Sequence, residues 1–456
     1  MEDEKKLYLF EEAPMSKAVV SMCVPTIISS LVMVIYNLAD TYFVGMLNNP
    51  IQNAAVTLAA PVLLAFNAVN NLFGVGSSSL MSRSLGRKDY DTVRRVSAFG
   101  FYGAVAGGLA FTVIMLLART PVLVLLGTDA GTAEATGAYL HWTVTCGAVP
   151  AILNVVMAYM VRSEGATLHA SVGTMSGCLL NIMLDPVFIL PWGLDMGAAG
   201  AGLATFLSNC AACVYFFVLL AVRGKKTYVC IRPSMFPWDR QIASGVCAVG
   251  IPAAIQNLLN VTGMTVLNNF TSSFGADAVA AMGIAQKINM VPMNIAFGAS
   301  QGVMPLVGYN YASGNARRMR EAIAFAMRIS VSFLVAVAAC YYFGAAQLIG
   351  LFIRNETIIA YGARFLHGMC LALPFLNIDF MAVGVFQAAG MGRRAFAFAI
   401  LRKIVMEIPA LYILNALIPL YGLAYAQAVT EVILAAAALL MLRKLFKEVE
   451  NGKLSA

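Results

Sequence analysis

Apolar residues in this chain run on for stretches long enough to cross a hydrocarbon slab, and the polar residues gather in short intervals between them. A membrane-crossing helix takes about 20 such residues. The pattern predicts twelve, at 17–45, 55–82, 96–118, 135–161, 168–191, 197–222, 243–272, 279–308, 322–352, 359–387, 396–418 and 422–442. The fold class expected is therefore an all-α polytopic membrane protein.

Composition agrees: 60% of residues are hydrophobic and 11% charged, with a mean hydropathy of +0.79, far from a soluble globular chain. The net charge of +8 would suit nucleic acid, but its placement points elsewhere. Arg83, Arg87, Lys88, Arg94 and Arg95 follow the second span, Arg162 the fourth, and Arg223, Lys225, Lys226, Arg232 and Arg240 the sixth. The same side receives Arg317, Arg318 and Arg320, then Arg393, Arg394, Arg402 and Lys403, then Arg443, Lys444 and Lys447, while the alternate loops hold little beyond Arg119 and Arg354. This is the positive-inside pattern, and with an even number of spans it puts both termini in the cytoplasm. No nucleic-acid partner is expected.

The N-terminal MEDEKKLYLFEEAP mixes both charge signs and leads into a first span too long for a signal-peptide core, so it is expected to be retained. Nine cysteines, mostly within spans, argue against a disulfide framework. Cys210 and Cys213 form a CxxC on a predicted membrane helix without partner ligands, which reads as packing.

The two halves of the chain repeat each other. VPTIISSLVMVIYN (Val24–Asn37) is answered by IPAAIQNLLNVTGM (Ile251–Met264), and SRSLGRKDYDTVRR by NYASGNARRMREA. Pro25 answers Pro252, Pro150 answers Pro374, Pro186 answers Pro409, and GAAGAGLAT answers GLAYAQAVT, all at a nearly constant offset. The organisation expected is an N-terminal six-helix lobe at 1–222, a cytoplasmic linker at 223–242 and a C-terminal six-helix lobe at 243–456. Six being even, these are parallel repeats, with a cavity expected between them. The linker carries Pro233 and Pro237 and should lie along the cytoplasmic surface with Trp238 at the interface.

Asp40 lies in LVMVIYNLADTYFVG with no cation within helical reach. A carboxylate at the centre of a membrane helix costs about 2.5–3.5 kcal/mol on insertion scales, so such residues commonly serve ions or substrate. Tyr36 and Asp40 are four apart on one predicted helix, and Asn181 and Asp185 on another, so each pair shares a face. Pro186 removes a backbone donor beside Asp185, and freed carbonyls next to a carboxylate suit a cation.

With YNLADTYFVG, LNIMLDPVFI, GAAGAGLAT, SRSLGRKD and PLVGYNYASG in this order, the whole chain resembles the multidrug and toxic compound extrusion (MATE) family, its DinF-like and MepA-like branch above all. The resemblance implies two pseudo-symmetric six-helix bundles and a secondary antiporter exporting amphipathic, often cationic compounds against Na⁺ or H⁺. It further implies ion coupling at Tyr36, Asp40, Asn154, Asn181, Asp185 and Thr205, with Asp40, Asn181, Asp185 and Thr205 able to take Na⁺. The NorM-like branch carries a glutamate on the seventh span and an aspartate on the tenth; the seventh-span position reads Asn260 here, which weakens the transfer of that ion site, while Asp379 stands in the tenth span.

Substrate contacts are expected from Asp40 and Asp185 and, in the second half, from Gln256, Asn257, Asn260, Met290, Met293 and Asp379. Gln256, Asn257, Asn268, Asn269, Gln286, Asn289, Asn294 and Gln301 are an unusually polar set for lipid-facing helices and are expected to face the cavity. The 25 methionines and 26 phenylalanines suit a site that accepts varied cations and planar rings. Asp379 and Glu407 are each open to substrate or a second ion, and for Glu407 a pairing with Lys403 is the favoured expectation.

Other classes fit less well. A flippase of lipid-linked or polysaccharide precursors would line its cavity with cations for a pyrophosphate, whereas these spans offer carboxylates and amides. An enzyme would need a nucleophile, base or metal constellation that the motifs do not provide. The expectation is a monomeric transporter, without a cofactor beyond its coupling ion, acting on small amphipathic cations in the bilayer.

Overall fold

The computed structural model describes residues 2–237 and 239–451; Trp238 lies outside them. A short α1 (Glu2–Glu11) precedes twelve helical rods, and no strand occurs among the described residues. The first rod is α2 (Met15–Gly45), and the second runs from α3 (Pro50–Asn70) through a π-helical turn at Asn71–Val75 into α4 (Gly76–Gly86). The third is α5 (Tyr90–Leu117), trailed by α6 (Arg119–Leu125). The fourth joins α7 (Ala133–Leu140), a π-helical turn at His141–Cys146 and α8 (Ala148–Ser163). Then come α9 (Thr167–Ile189) and α10 (Ala198–Arg223), two 3₁₀ turns, α11 (Arg240–Ser272) and α12 (Ala276–Ala312). The ninth rod is α13 (Ala316–Phe343), trailed by α14 (Ala345–Gly350), and the tenth is α15 (Glu356–Ala388). The eleventh joins α16 (Gly392–Ile400), π-helical Leu401–Glu407 and α17 (Ile408–Leu417), and the twelfth is α18 (Tyr421–Glu450).

Among the described residues, nine helices are long and apolar enough to cross a membrane, and the fourth rod, bent by 51°, makes a tenth. The bend falls at Gly147, where an added Cβ would come within 2.6 Å of the Trp142 carbonyl oxygen. The eighth and eleventh rods carry too many polar residues to pass on composition alone. The ninth helix is shorter than the predicted 322–352: it stops at Phe343, where the Gly344 N–H closes the last turn on the Cys340 carbonyl.

The sequence repeat is visible in the turn chemistry. After α4 the chain passes through Lys88 at φ 59°, and the Asp89 side chain accepts the Thr92 N–H at 3.1 Å to start α5. After α12 it passes through Gly314 at φ 75°, and the Asn315 side chain accepts the Arg318 N–H at 3.0 Å to start α13. Both are a left-handed residue followed by a helix N-cap.

The described chain divides into two compact units. One is Leu31–Ala254 with residues 2–8; the other is Leu9–Ser30 with the chain from Ile255 onward. In the first unit, α5 meets α8 where a Cβ on Gly108 would stand 2.6 Å from the Val149 Cα, a close approach of the small-residue kind found in membranes. In the second, α15 is the central helix, with 72% of its apolar window buried, and Gly368 brings it against the Ala424 backbone of α18.

The segment after α10 does not hang free. Glu164 accepts hydrogen bonds from Arg223 (3.1 Å), Thr227 Oγ1 (2.9 Å) and the Tyr228 N–H (2.8 Å). Tyr228 stacks on Tyr90 at 4.9 Å, Ser97 Oγ bonds Cys230, and Tyr102 donates to the Ile231 carbonyl at 2.9 Å. This part of the expected linker is a strap along the first unit.

Candidate ion-coupling site

Asp185 sits on α9 with no exposed surface, one turn after Asn181, which is 1% exposed. Both face α10, because α9 and α10 pack along their length at glycines such as Gly177, whose absent side chain leaves room for Ser208 and Ala212. The Asn181 amide, oriented by its neighbours, donates to Asp185 Oδ2 at 2.9 Å and accepts from Thr205 through its backbone N–H at 3.0 Å and its hydroxyl at 3.3 Å. Pro186 follows within the helix and removes one donor from the ladder.

From α2 come Tyr36 and Asp40. The Tyr36 hydroxyl lies within hydrogen-bonding reach of Thr205, and both aspartates are close enough to interact with it electrostatically. Asp40 and Asp185 in turn sense one another. Asp40 Oδ1 is buried and has no hydrogen-bond partner. Two carboxylates that face each other out of water favour a shared proton or a cation between them.

The structure thus brings together Tyr36, Asp40, Asn181, Asp185 and Thr205. Asn154 is differently engaged: its amide donates to the Pro150 and Ala151 carbonyls at 2.7 and 3.1 Å and to Asn209 Oδ1 at 3.0 Å. Tyr139 on α7 joins the site without a signal of its own in the sequence. It is 3% exposed and lies within electrostatic reach of Asp40, Tyr36 and Asp185. A tyrosine beside His141 and Trp142 in the sequence reads as an ordinary aromatic, and only the folding of α7 toward α3 and α10 places it here.

In the second unit Gln387 donates to Gln256 at 3.2 Å, and Asn257 and Asn260 are half-buried on α11. The Met290 carbonyl accepts from Asn294 at 2.9 Å, and Met293 packs against Ala296, Leu334, Cys370, Leu373 and Leu376. Asn289 and Gln301 are buried, at 3% and 7% exposed, while Asn268, joined to Gln286 at 3.4 Å, is exposed. Lys403 and Glu407 pair at 2.6 Å. Arg402 and Lys403, expected from the sequence as loop cations, instead lie inside the eleventh rod. Arg402 is 4% exposed and forms an ion pair with the fully buried Glu431 of α18, beside Asp379. Cys213, of the CxxC, is buried and donates to the Pro150 carbonyl at 3.4 Å, as a packed thiol does, and all nine cysteines are free.

Residues 25–187 and 252–413 each match the MatE family, one match in each half of the chain. The chain belongs to the MatE family. It is 34% identical over 97% of its length, and 96% of theirs, to the multidrug export protein MepA of Staphylococcus aureus and that of Staphylococcus saprophyticus. Among solved structures it is similar to an outward-facing multidrug resistance MATE transporter of the MOP superfamily (26% identity, TM-score 0.92, covering 98% of this chain and 99% of that one). It is similar also to a MOP-superfamily transporter of Pyrococcus furiosus described as having a binding pocket of reversed polarity (27% identity, TM-score 0.90, with the same coverage). The MatE fold of twelve transmembrane helices therefore accounts for all twelve rods, including the two that hydropathy alone passes over.

Proposed function

We propose that this MatE protein is a secondary active exporter of amphipathic, mainly cationic compounds, driven by inward movement of H⁺ or Na⁺ through the Asp40–Asp185 site. The observation that supports this most is the arrangement around Asp185, a fully buried carboxylate oriented by Asn181 and within electrostatic range of a second carboxylate whose Oδ1 has no partner. Ionised, the pair attracts a cationic substrate; neutralised by the coupling ion, it releases it. Thr205 hydrogen-bonds the Asn181 amide that orients Asp185. Residues 1–222 and 243–456 are read as the lobes that alternate access, in a cytoplasmic membrane with both termini inside. A pyrophosphate-carrying flippase is disfavoured, because the polar centre of the first unit is acidic.

The test is purified protein in liposomes with a cationic fluorophore, a pH gradient and a Na⁺ gradient being imposed separately. Dye movement under one gradient identifies the ion. Asp40→Asn and Asp185→Asn should each abolish that movement at unchanged expression. Full transport in either variant removes that carboxylate from the cycle, and no transport under either gradient removes the export reading.

A further inference from the structure

The first unit buries a cation without a carboxylate. Arg162, placed by the sequence among the cations after the fourth span, lies in the last turn of α8 and is 9% exposed. Arg402, similarly buried in the second unit, is answered by Glu431. Among the described residues Arg162 forms no ion pair, and its buried Nε has no hydrogen-bond acceptor. Glu164, two residues on, is committed to Arg223, Thr227 and the Tyr228 N–H. The guanidinium lies instead over the Tyr159 ring, 5.4 Å from its centre. A guanidinium cannot lose its charge in a protein, so only an anion relieves its burial.

The wall beside Arg162 is α4 with the turn before it. Tyr159 packs across Gly74, where an added Cβ would come within 2.6 Å of the ring, and Ser82 Oγ donates to the Ser163 carbonyl at 3.4 Å. Ser78 stands one turn from each along the same stripe, so it faces α8 between Tyr159 and Ser163, level with Arg162. It is 5% exposed, and its hydroxyl adds a rotating donor. Arg83, Arg87 and Lys88 follow on the same side and bias this end of the unit toward anions. The carboxylates are elsewhere. Asp185 is eighteen residues along α9 from Thr167, about 27 Å of helical rise, and α9 begins just after α8 ends.

We infer that Arg162, with Ser78 and the face of Tyr159, binds a phosphate-type oxyanion at the basic end of the first unit. A guanidinium from α8 and a hydroxyl from α4 converge from two helices, which suits a tetrahedral anion better than a planar carboxylate, and the guanidinium fork supplies paired N–H···O bonds. The oxyanion comes from free phosphate or from a lipid headgroup. Either one neutralises the buried charge and ties α4 to α8.

Thermal unfolding of the full-length protein in detergent, freed of lipid and phosphate, tests this. Inorganic phosphate, added at fixed ionic strength, or phosphatidylglycerol, added to the micelles, should raise the melting temperature saturably. The one that does so identifies the source. Ser78→Ala should raise the midpoint concentration about tenfold, the loss of one hydrogen bond to a charged group. Without anion, Arg162→Met should melt no lower than the parent, because it removes a buried charge that lacks a partner, and neither anion should then add stability. No saturable rise with either anion overturns the inference, as does an unchanged midpoint in Ser78→Ala. A rise kept in Arg162→Met is the general effect of an excluded salt and overturns it too. So does a lower melting temperature of Arg162→Met without anion, which would make Tyr159 a sufficient partner. None of these readouts depends on whether Asp40 and Asp185 couple export.

Discussion

Glu431 and Arg402 illustrate how a buried charge is tolerated at a single position. Each is nearly without water, and the Arg402 guanidinium gives Glu431 two hydrogen bonds and lies over an aromatic face. Removing one partner strands the other: breaking such a buried pair costs about 3–5 kcal/mol, whereas removing both charges together is far milder. Arg402→Met should therefore depress the thermal melting temperature strongly, and Arg402→Met with Glu431→Gln should recover most of the loss, as read by a double-mutant cycle in detergent. Additive losses would mean that the pair contributes nothing as a unit. At this scale the sequence was legible where an acid stood alone in an apolar run, as Asp40 does. Glu431 in YAQAVTEVIL gives the same signal, within the stretch that repeats GAAGAGLAT. Arg402, near the head of the predicted span 396–418, read as a loop cation. The spacing along one chain does not say that a cation on one helix turns toward an acid on the next.

At the scale of elements, the spans were legible because length and hydropathy determine them, although α5 and α13 begin at Tyr90 and Ala316, six residues before the predicted 96 and 322, where Asp89 and Asn315 cap them. The π-helical turns at Asn71–Val75, His141–Cys146 and Leu401–Glu407 were not, since a single widened turn leaves no periodic trace. Nor was the strap. Residues 223–240 read as a basic tether, yet Glu164, at the end of the fourth rod and 4% exposed in its side chain, gathers a cation, a hydroxyl and a backbone N–H from it. Glu164→Ala leaves those donors without their shared acceptor, at about 1–3 kcal/mol for the buried groups. Amide hydrogen exchange at residues 227–231 should then rise by about tenfold or more, with α5 and α8 little changed. Unaltered exchange there would show that the aromatic stack of Tyr90 on Tyr228 and the bonds of Ser97 and Tyr102 hold the strap alone.

For the whole molecule, the repeat and the charge distribution make a joint statement. The duplicated halves share turn chemistry but not ion chemistry: the first unit holds Asp40 and Asp185 without a cation among their hydrogen-bonding partners, and the second holds acids largely balanced by Arg402 and Lys403. Moving those two cations from the loops to the bundle interior leaves the positive-inside asymmetry intact, because Arg83, Arg87, Lys88, Arg94 and Arg95, then Arg317, Arg318 and Arg320, still face the sparse Arg119 and Arg354. Orientation follows the Lys and Arg of short loops and not net charge, so an even set of twelve spans carries both chain ends to the basic side. A fluorescent protein fused after Ala456 should therefore glow in cells, and alkaline phosphatase at the same point should be inactive, while phosphatase inserted after Thr128 or Arg354 should be active. The reverse pattern would invert the sidedness of the proposed cycle and turn the exporter into an importer for the same ion gradient.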